Sequence, residues 1–600
     1  MQRGPDLRRT EAIIAAAILA GSAALIFTRL GHYALWNDEA YTALLAQSVW
    51  RTGDTHAVLG HNIIAFQGGA ALENLRHRFD PPLAYYLAAL FLGILGDHSL
   101  AGRLPFALCG LATIALMVRW AWRERAATLT WLLLAIAILG NVSLVLYSRQ
   151  CRYYALAMLC STALAYLYLH WNGSRRGLAA MAAVSLCLLA TNYINYAAFY
   201  ACGLVDYLAW GRRWRPLRRR DTLVLFAPQL ILGALIISVW NPLGKAIVPY
   251  GGGPWLADKA TLLWWSLRDL SRCEFVAAAL FLCIAPLAYL ARRMRRPRPS
   301  PRPLPERERG CGEKSPSLPG RGEGEGEGEG EGGVAARPSP RPLPERERWL
   351  GGQNALMLVR GLVALLVYIL AVTLLSPQAV SVTDCADVRY LVPLIPLCIA
   401  LGVLAIKTFS TRPVVAVPIA LVAFGTNLFQ FSPYMGEPVR SAVVEYVGEL
   451  AQPRETAYGI AAAWINANVR EGESIWVVPE SAVSPLIFHA PKAVYAWQLR
   501  WPPEAQFRGL PDIHFMEREP PDYVLAFGAV STPLEAMLGA GSRYGRVAAL
   551  DAYWRDGPAG DGTRPELFWH AFRPARRLGP ETDGIHIFRR RERAQSGVGW

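Results

Sequence analysis

The sequence predicts a polytopic α-helical membrane protein that ends in a small soluble α/β domain. Three observations carry this: a high apolar content, the spacing of the charges, and a change of pattern after Phe431. Hydrophobic residues make up 53% of the 600 residues and charged residues 18%. The charges gather in short clusters separated by apolar runs of about 16–22 residues, the length that crosses a hydrocarbon core as helix.

The first run, Glu11 to Leu30, follows Arg3, Arg8 and Arg9. Its length, and the poor cleavage signal at Phe27-Thr28-Arg29-Leu30, make it a retained anchor rather than a removed leader. Further candidate spans are 81–96, 99–118, 127–146, 153–170, 177–192, 195–210, 223–240, 274–290, 354–375, 389–406 and 412–430. The basic clusters Arg119–Arg125, Arg175-Arg176, Arg212–Arg220, Arg292–Arg298 and Lys407–Arg412 belong on the cytoplasmic side. Alternation then places Tyr147–Arg152, Thr191–Asn195, Asn241–Cys273, Ser376–Val388 and everything after Phe431 outside. A cytoplasmic N-terminus and an external C-terminal domain require an odd number of crossings, so about eleven to thirteen are expected. The weakest is Pro81–Gly96, which opens with Pro81-Pro82 and reads as a partial or re-entrant helix.

The formal net charge of +15 does not point to nucleic acid. The arginines sit at the ends of apolar segments, where they meet anionic lipid, and no soluble module shows a basic face with interleaved aromatics. The ten cysteines are scattered, mostly within apolar runs, without a CxxC or metal-like spacing, and read as small core residues.

By this reading residues 1–430 form the membrane domain and 431–600 an extracytoplasmic α/β domain. A different material interrupts the first between 297 and 350. Arg298–Arg309 reads RPSPRPLPERER, Arg337–Arg348 repeats it letter for letter, and a Gly-Glu alternation lies between. Such a segment has nothing to bury and is expected to be a disordered insertion in a cytoplasmic loop. After Phe431, Val443–Val469 has helical periodicity. Short apolar runs follow at Ile475–Val478, Ala493–Trp497, Tyr523–Phe527, Val547–Leu550, Leu567–Phe572 and Ile585–Phe588.

Three clusters can carry chemistry. The first is Leu35-Trp36-Asn37-Asp38-Glu39-Ala40-Tyr41, two adjacent carboxylates just past the first span, with Phe79-Asp80-Pro81-Pro82-Leu83-Ala84-Tyr85-Tyr86 entering the next apolar run. A carboxylate at the bilayer surface can take a proton from an acceptor hydroxyl while a lipid-bound leaving group stays in the membrane; the plainer reading is that Asp38 caps a helix. The second, Ser148–Tyr154, holds Arg149 and Arg152 three apart, on one face if helical. Their guanidinium groups suit a phosphate, or lipid headgroups reached by snorkelling. The third places Arg389 and Tyr390 at the mouth of a span with Pro393 and Pro396; Arg389 binds phosphate or pairs with Asp387.

WNDEA, DPPLAYYL, AGRLPFALCGL at 101–111, SRQCRYYAL at 148–156, TNY at 191–193 and RYLVPLIP at 389–396 occur in this order. Together, over roughly residues 10–430, they resemble the GT-C superfamily of membrane glycosyltransferases, in the branch of the protein O-mannosyltransferases and the aminoarabinose transferase of lipid A. The resemblance implies an inverting transfer of sugar from a polyprenyl-phosphate donor to a hydroxyl acceptor, in a multi-pass protein of the bacterial inner membrane. It implies Asp38 as catalytic base with Glu39 beside it, and Arg149 or Arg152 together with Arg389 on the donor phosphate. Asp80, Tyr85, Tyr86 and Tyr390 would line the substrate. The chain departs from the family pattern at Asp80, where His or Lys often precedes Pro-Pro, and at Asn192, where His often stands. No cofactor is expected. Because of these departures no metal site is carried over, and a divalent ion near Asp38, Glu39 and Asp80 is left open.

Two rival classes remain open at this point. An oligosaccharide polymerase or ligase with a lipid-diphosphate donor would use similar arginines. A transporter or flippase would place ionisable groups mid-helix, where only Arg103 and Asp206 come close. The C-terminal domain is expected to select or cover the acceptor, and no acceptor is specified.

Overall fold

The computed structural model describes residues 5–65, 72–241, 255–270, 350–378, 388–430, 438–453, 455–496, 504–514, 520–528, 543–552 and 584–591, with positions 69, 380, 530, 534 and 538. The expected span 274–290, both copies of the proline-rich repeat, Asp387 and the run Leu567–Phe572 lie outside these residues.

Apolar runs become helices where predicted, with informative breaks. Helix α1 (Pro5–Phe27) is the first anchor and α2 (Asn37–Thr52) carries Asp38 and Glu39. Two short hairpins, β1–β2 (Val58–Leu59, Asn62–Ile63) and β3–β4 (Leu72–Glu73, Arg76–His77), lead to α3 (Leu83–Leu95). After Pro81-Pro82, α3 has only 13 residues, too few to cross a bilayer of about 30 Å alone. Helix α4 (Ser99–Arg123) follows.

The predicted span 127–146 is two helices, α5 (Thr128–Leu139) and α6 (Val142–Arg149), bent by 55°. The cause is local. A side chain at Gly140 would come within 2.7 Å of the Phe424 carbonyl oxygen, and the Asn141 side chain caps α6 by accepting from the Leu144 N–H at 2.6 Å. A Cβ at Gly110 would likewise meet Ser148 at 2.2 Å, so the glycine lets α4 and α6 approach closely.

The remaining helices are α7 (Tyr154–Leu169), α8 (Arg175–Leu189), α9 (Tyr193–Asp206), α10 (Arg219–Val239), α11 (Trp255–Leu270), α12 (Leu350–Leu375), α13 (Ile395–Phe409) and α14 (Pro413–Gly425). The 3₁₀ turn Val388–Leu394 enters α13 and carries Arg389. Helix α11 was not anticipated: its charges at Asp258, Lys259, Arg268 and Asp269 hide it from a search for apolar runs. Among the described residues five helices are long and apolar enough to cross a membrane, six if the bent pair is one span. The larger number expected from the sequence includes helices cut short by turns, such as α3, α7 and α14. The chain is an integral membrane protein of predominantly helical build.

Residues 442–590 supply the α/β part. The long periodic stretch after Val443 is divided, at Gln452-Pro453, into α15 (Ala442–Ala451) and α16 (Ala457–Asn468). A five-stranded sheet follows in the order β6-β5-β7-β9-β8. It comprises β5 (Ser474–Val478), β6 (Val494–Tyr495), β7 (Tyr523–Phe527), β8 (Tyr544–Leu550) and β9 (Ile585–Arg590). Strands β5, β6 and β7 are parallel; β9 pairs antiparallel with β7 and β8. Helix α17 (Val483–His489) joins β5 to β6 and packs on α2, so the core of this part is continuous with that of the helices.

Candidate active site

Asp38 lies in the first turn of α2, but it does not cap the helix. Glu39 is the capping residue, and its Oε2 accepts from the Trp36 N–H at 3.3 Å. The Asp38 carboxylate turns instead to two cations, Arg152 at 3.2 Å and Arg389 at 2.5 Å. Arg152 also donates to the Thr42 hydroxyl at 3.1 Å, one turn further along α2. Burial alone would raise the Asp38 pKa; Arg152, then Arg389, outweigh it and hold the carboxyl below the usual range. Residues 351 positions apart are thus brought into one ion cluster.

Glu39 faces the other way and is fully buried. Arg103 of α4 grips both its oxygens, Nε to Oε1 at 2.8 Å and Nη2 to Oε2 at 2.5 Å, and the Cys151 N–H donates to Oε1 at 2.8 Å. Arg103 also donates to the carbonyls of Leu30, Tyr33 and Ala34. This neutral, fully hydrogen-bonded pair fixes the turn between α1 and α2 and ties it to the peptide just before Arg152. Glu39 therefore has no oxygen to offer the cleft.

Arg149 and Arg152 do not share a helical face. Helix α6 ends at Arg149, and Gln150 is already extended. Arg149 is buried at the end of α1, donating to the carbonyls of Leu25, Ile26, Thr28 and Arg29 at 2.8–3.2 Å. The Leu25 and Ile26 carbonyls are ones that a helix end leaves without intrahelical donors, and those of Thr28 and Arg29 belong to the turn that follows α1. Arg149 thus caps the anchor, and the structure does not bring it to Asp38.

Asp80 is a second carboxylate that feels the Arg152 charge. Its Oδ2 meets His77 Nε2 at 3.2 Å and accepts from the Tyr85 hydroxyl at 3.1 Å, while Tyr41 bonds His77 Nδ1 at 3.0 Å. Burial would raise the Asp80 pKa, but the bond and charge of His77, with Arg152 and Tyr85, lower it to about 2. A cleft lined by Thr42, Asp80, Pro81, Ala84, Tyr85, Arg152, Tyr153, Thr191 and Asn192 runs past these groups. Tyr86 points away, donating to the Gly53 carbonyl. Tyr390 is half-buried beside Arg389, packed against the core.

Sequence reasoning missed His77, Tyr41 and the role of Arg103. The spacing of His77, three before Asp80, was a usable signal for the first. The mid-helix charge at Arg103 stood out as an exception, without its partner. Among the described residues no group of three or more His, Cys, Asp or Glu is disposed to hold a metal ion.

Comparison with known proteins adds the frame. The family model of dolichyl-phosphate-mannose-protein mannosyltransferases matches residues 80–243, a stretch that holds Asp80 and Arg152 but neither Asp38 nor Arg389. The crystal structure of ArnT from Cupriavidus metallidurans in the apo state superposes with a TM-score of 0.51 at 14% identity, over 90% of this chain and 95% of that one. The chain has the GT-C fold. The structure of the same ArnT bound to undecaprenyl phosphate gives a TM-score of 0.52 at 13% identity, over 90% and 96%. No curated protein matches the sequence. Within the GT-C fold, the Asp38 cluster occupies the segment between the first anchor and the next helices, at the ends of α6 and α12–α13.

Proposed function

We propose that this GT-C protein transfers a sugar from a polyprenyl-phosphate donor to a hydroxyl acceptor at the outer face of the bacterial cytoplasmic membrane, with inversion. The observation that carries the proposal is the pairing of Asp38 with Arg152 and Arg389, in a fold whose ArnT relative binds undecaprenyl phosphate. A carboxylate bound by two guanidinium groups occupies the kind of place that a phosphate would take. The positive-inside bias of the basic clusters supports an outer location for this segment and for the C-terminal domain.

The acceptor oxygen attacks the anomeric carbon opposite the donor phosphate, the bond from that carbon to the phosphate oxygen breaks, and the hydroxyl proton passes to Asp38. Arg389 is the more exposed of the two cations, and the phosphate draws it away from Asp38. The carboxylate then keeps one cation rather than two, which raises its basicity as the transfer begins. Arg152 and Arg389 meet the charge developing on the departing phosphate. Asp80, Tyr85 and Asn192 offer acceptors and donors to sugar hydroxyls along the cleft. Glu39 and Arg149 support this arrangement from behind. Each role in this step falls to a residue of the chain itself, without a cofactor.

The test is transfer by purified protein from a single-sugar polyprenyl phosphate, compared with an oligosaccharide polyprenyl diphosphate. Activity with the monophosphate alone, and its loss in Asp38→Asn, is expected. Full activity in Asp38→Asn, or exclusive use of the diphosphate, would overturn the proposal.

A further inference from the structure

The segment that carries Asp38 and Asp80 is held from outside the membrane helices as well as from within. Asn62, at the end of the first hairpin, is buried and acts as a strand extension. Its Oδ1 accepts from the Tyr495 N–H at 2.8 Å and its Nδ2 donates to the Ala493 carbonyl at 3.0 Å. Gln506 does the same in reverse for the second hairpin, accepting from the Leu75 N–H at 3.2 Å and donating to the Leu72 carbonyl at 3.1 Å. The closest of these links to Asp38 is His489, the last residue of α17, whose Nε2 accepts from the Leu35 N–H at 2.9 Å.

The Leu35 bond sits at the entrance to α2, one residue before the peptide N–H that Glu39 caps. Only a neutral imidazole with its proton on Nδ1 can accept there, because a backbone N–H can only donate. Burial, with Arg103 nearby, lowers the His489 pKa to about 4, which keeps that form at neutral pH. His489 is itself braced, since its carbonyl accepts from the Asn466 side chain at 3.0 Å and its ring packs edge-on against Phe488.

We infer that the C-terminal α/β part is the outer half of a clamp on the active-site segment, with His489 as a positioning residue that sets where α2 starts and so where Asp38 meets Arg152. This goes beyond a role in covering the acceptor. Its kinetic consequence rests on the proposed transferase reading, and its structural consequence does not.

The experiment uses the full chain in lipid nanodiscs, with hydrogen-exchange mass spectrometry of peptides spanning Leu35–Glu39 and steady-state transfer from a polyprenyl-phosphate sugar. His489→Ala is expected to speed exchange at Leu35, to lower kcat about fivefold to tenfold, the worth of one hydrogen bond, and to leave the donor KM within about twofold of its original value. His489→Gln, whose amide oxygen can accept in place of Nε2, is expected to restore both. Unchanged exchange at Leu35 in His489→Ala would overturn the inference, as would faster exchange with an unchanged kcat. Faster exchange throughout strands β5 and β7 with no recovery in His489→Gln would also overturn it, by showing a merely structural loss. If the protein transfers no sugar at all, the exchange arm still decides the clamp, and the failure belongs to the transferase reading.

Discussion

Asp38 and Glu39 are neighbours in sequence yet belong to different ion clusters: Asp38 faces Arg152 and Arg389 at the cleft, and Glu39 is sealed against Arg103 behind it. Their substitution is therefore expected to separate activity from stability. Asp38→Asn lowers kcat by about 10²–10⁴ and costs less unfolding free energy than Glu39→Ala, because Arg389, the more exposed of its two partners, can turn to solvent. Glu39→Ala leaves Arg103 buried and unpaired, at a cost of about 3–5 kcal/mol. Thermal unfolding in detergent, run beside the transfer assay, checks both halves. The double substitution Glu39→Leu with Arg103→Met should lose less than the sum of the single losses.

Arg149→Lys is expected to destabilise the fold without altering donor affinity. A single ammonium cannot serve the four carbonyls that the guanidinium reaches at the end of α1, and about 2–3 kcal/mol is the scale of that loss. The discriminating measurement is the donor KM, which should not move. A large rise in KM would return Arg149 to the phosphate.

Arg152→Ala and Arg389→Ala behave differently from Arg149→Lys. Each removes a charged donor from the proposed phosphate site, which corresponds to roughly a 10- to 100-fold fall in kcat/KM. The Arg389 change should fall mainly on donor KM, since the phosphate draws this more exposed cation, and that of Arg152 on both constants, since Arg152 also ties Asp38 to Thr42 of α2. Titration of each variant with polyprenyl phosphate, followed calorimetrically, reads the binding part directly.

The Asp80–His77 pair predicts an acid limb. A carboxylate whose pKa is depressed in the folded state stabilises it above the ordinary value near 3.9 and loses that contribution as pH falls toward about 2. Melting temperature is therefore expected to drop between about pH 5 and pH 2, and Asp80→Asn to flatten part of that drop. Asp80 is 40% exposed, so solvent screening trims the effect. An identical pH profile in the variant would show that other groups set the acid limb.

The positions of most helices and the grouping of Asp38 with Arg152 and Arg389 were legible in the sequence, because apolar runs and clustered charges obey local rules. What escaped was whatever depends on a partner distant in the chain. Arg149 and Arg152 look equivalent at a spacing of three, and only the end of α6 between them sends one to a helix terminus and the other to a carboxylate. At the Gly140-Asn141 break, the close approach that leaves no room for a side chain comes from the Phe424 carbonyl, far along the chain, where no local pattern marks it. His489 gave no signal, since a buried histidine that accepts one backbone bond looks in sequence like any other. The C-terminal strands were found from their short apolar runs, whereas the embrace of Asn62 and Gln506 rests on two amides that no pattern marks.

The closed end of α1 has one more consequence. With Arg149 and the Tyr446 hydroxyl both bonded to its final turn, the anchor cannot slide along the bilayer normal independently of the sheet-bearing part. A thicker or thinner lipid host must then be absorbed by helices with little protein around them, of which α10 is the least enclosed among the five long apolar helices. With the proposed outer-face placement of Asp38, the site would move with α1 and the sheet-bearing part together, so the proposed turnover should depend far less on acyl-chain length than the protein's tilt does.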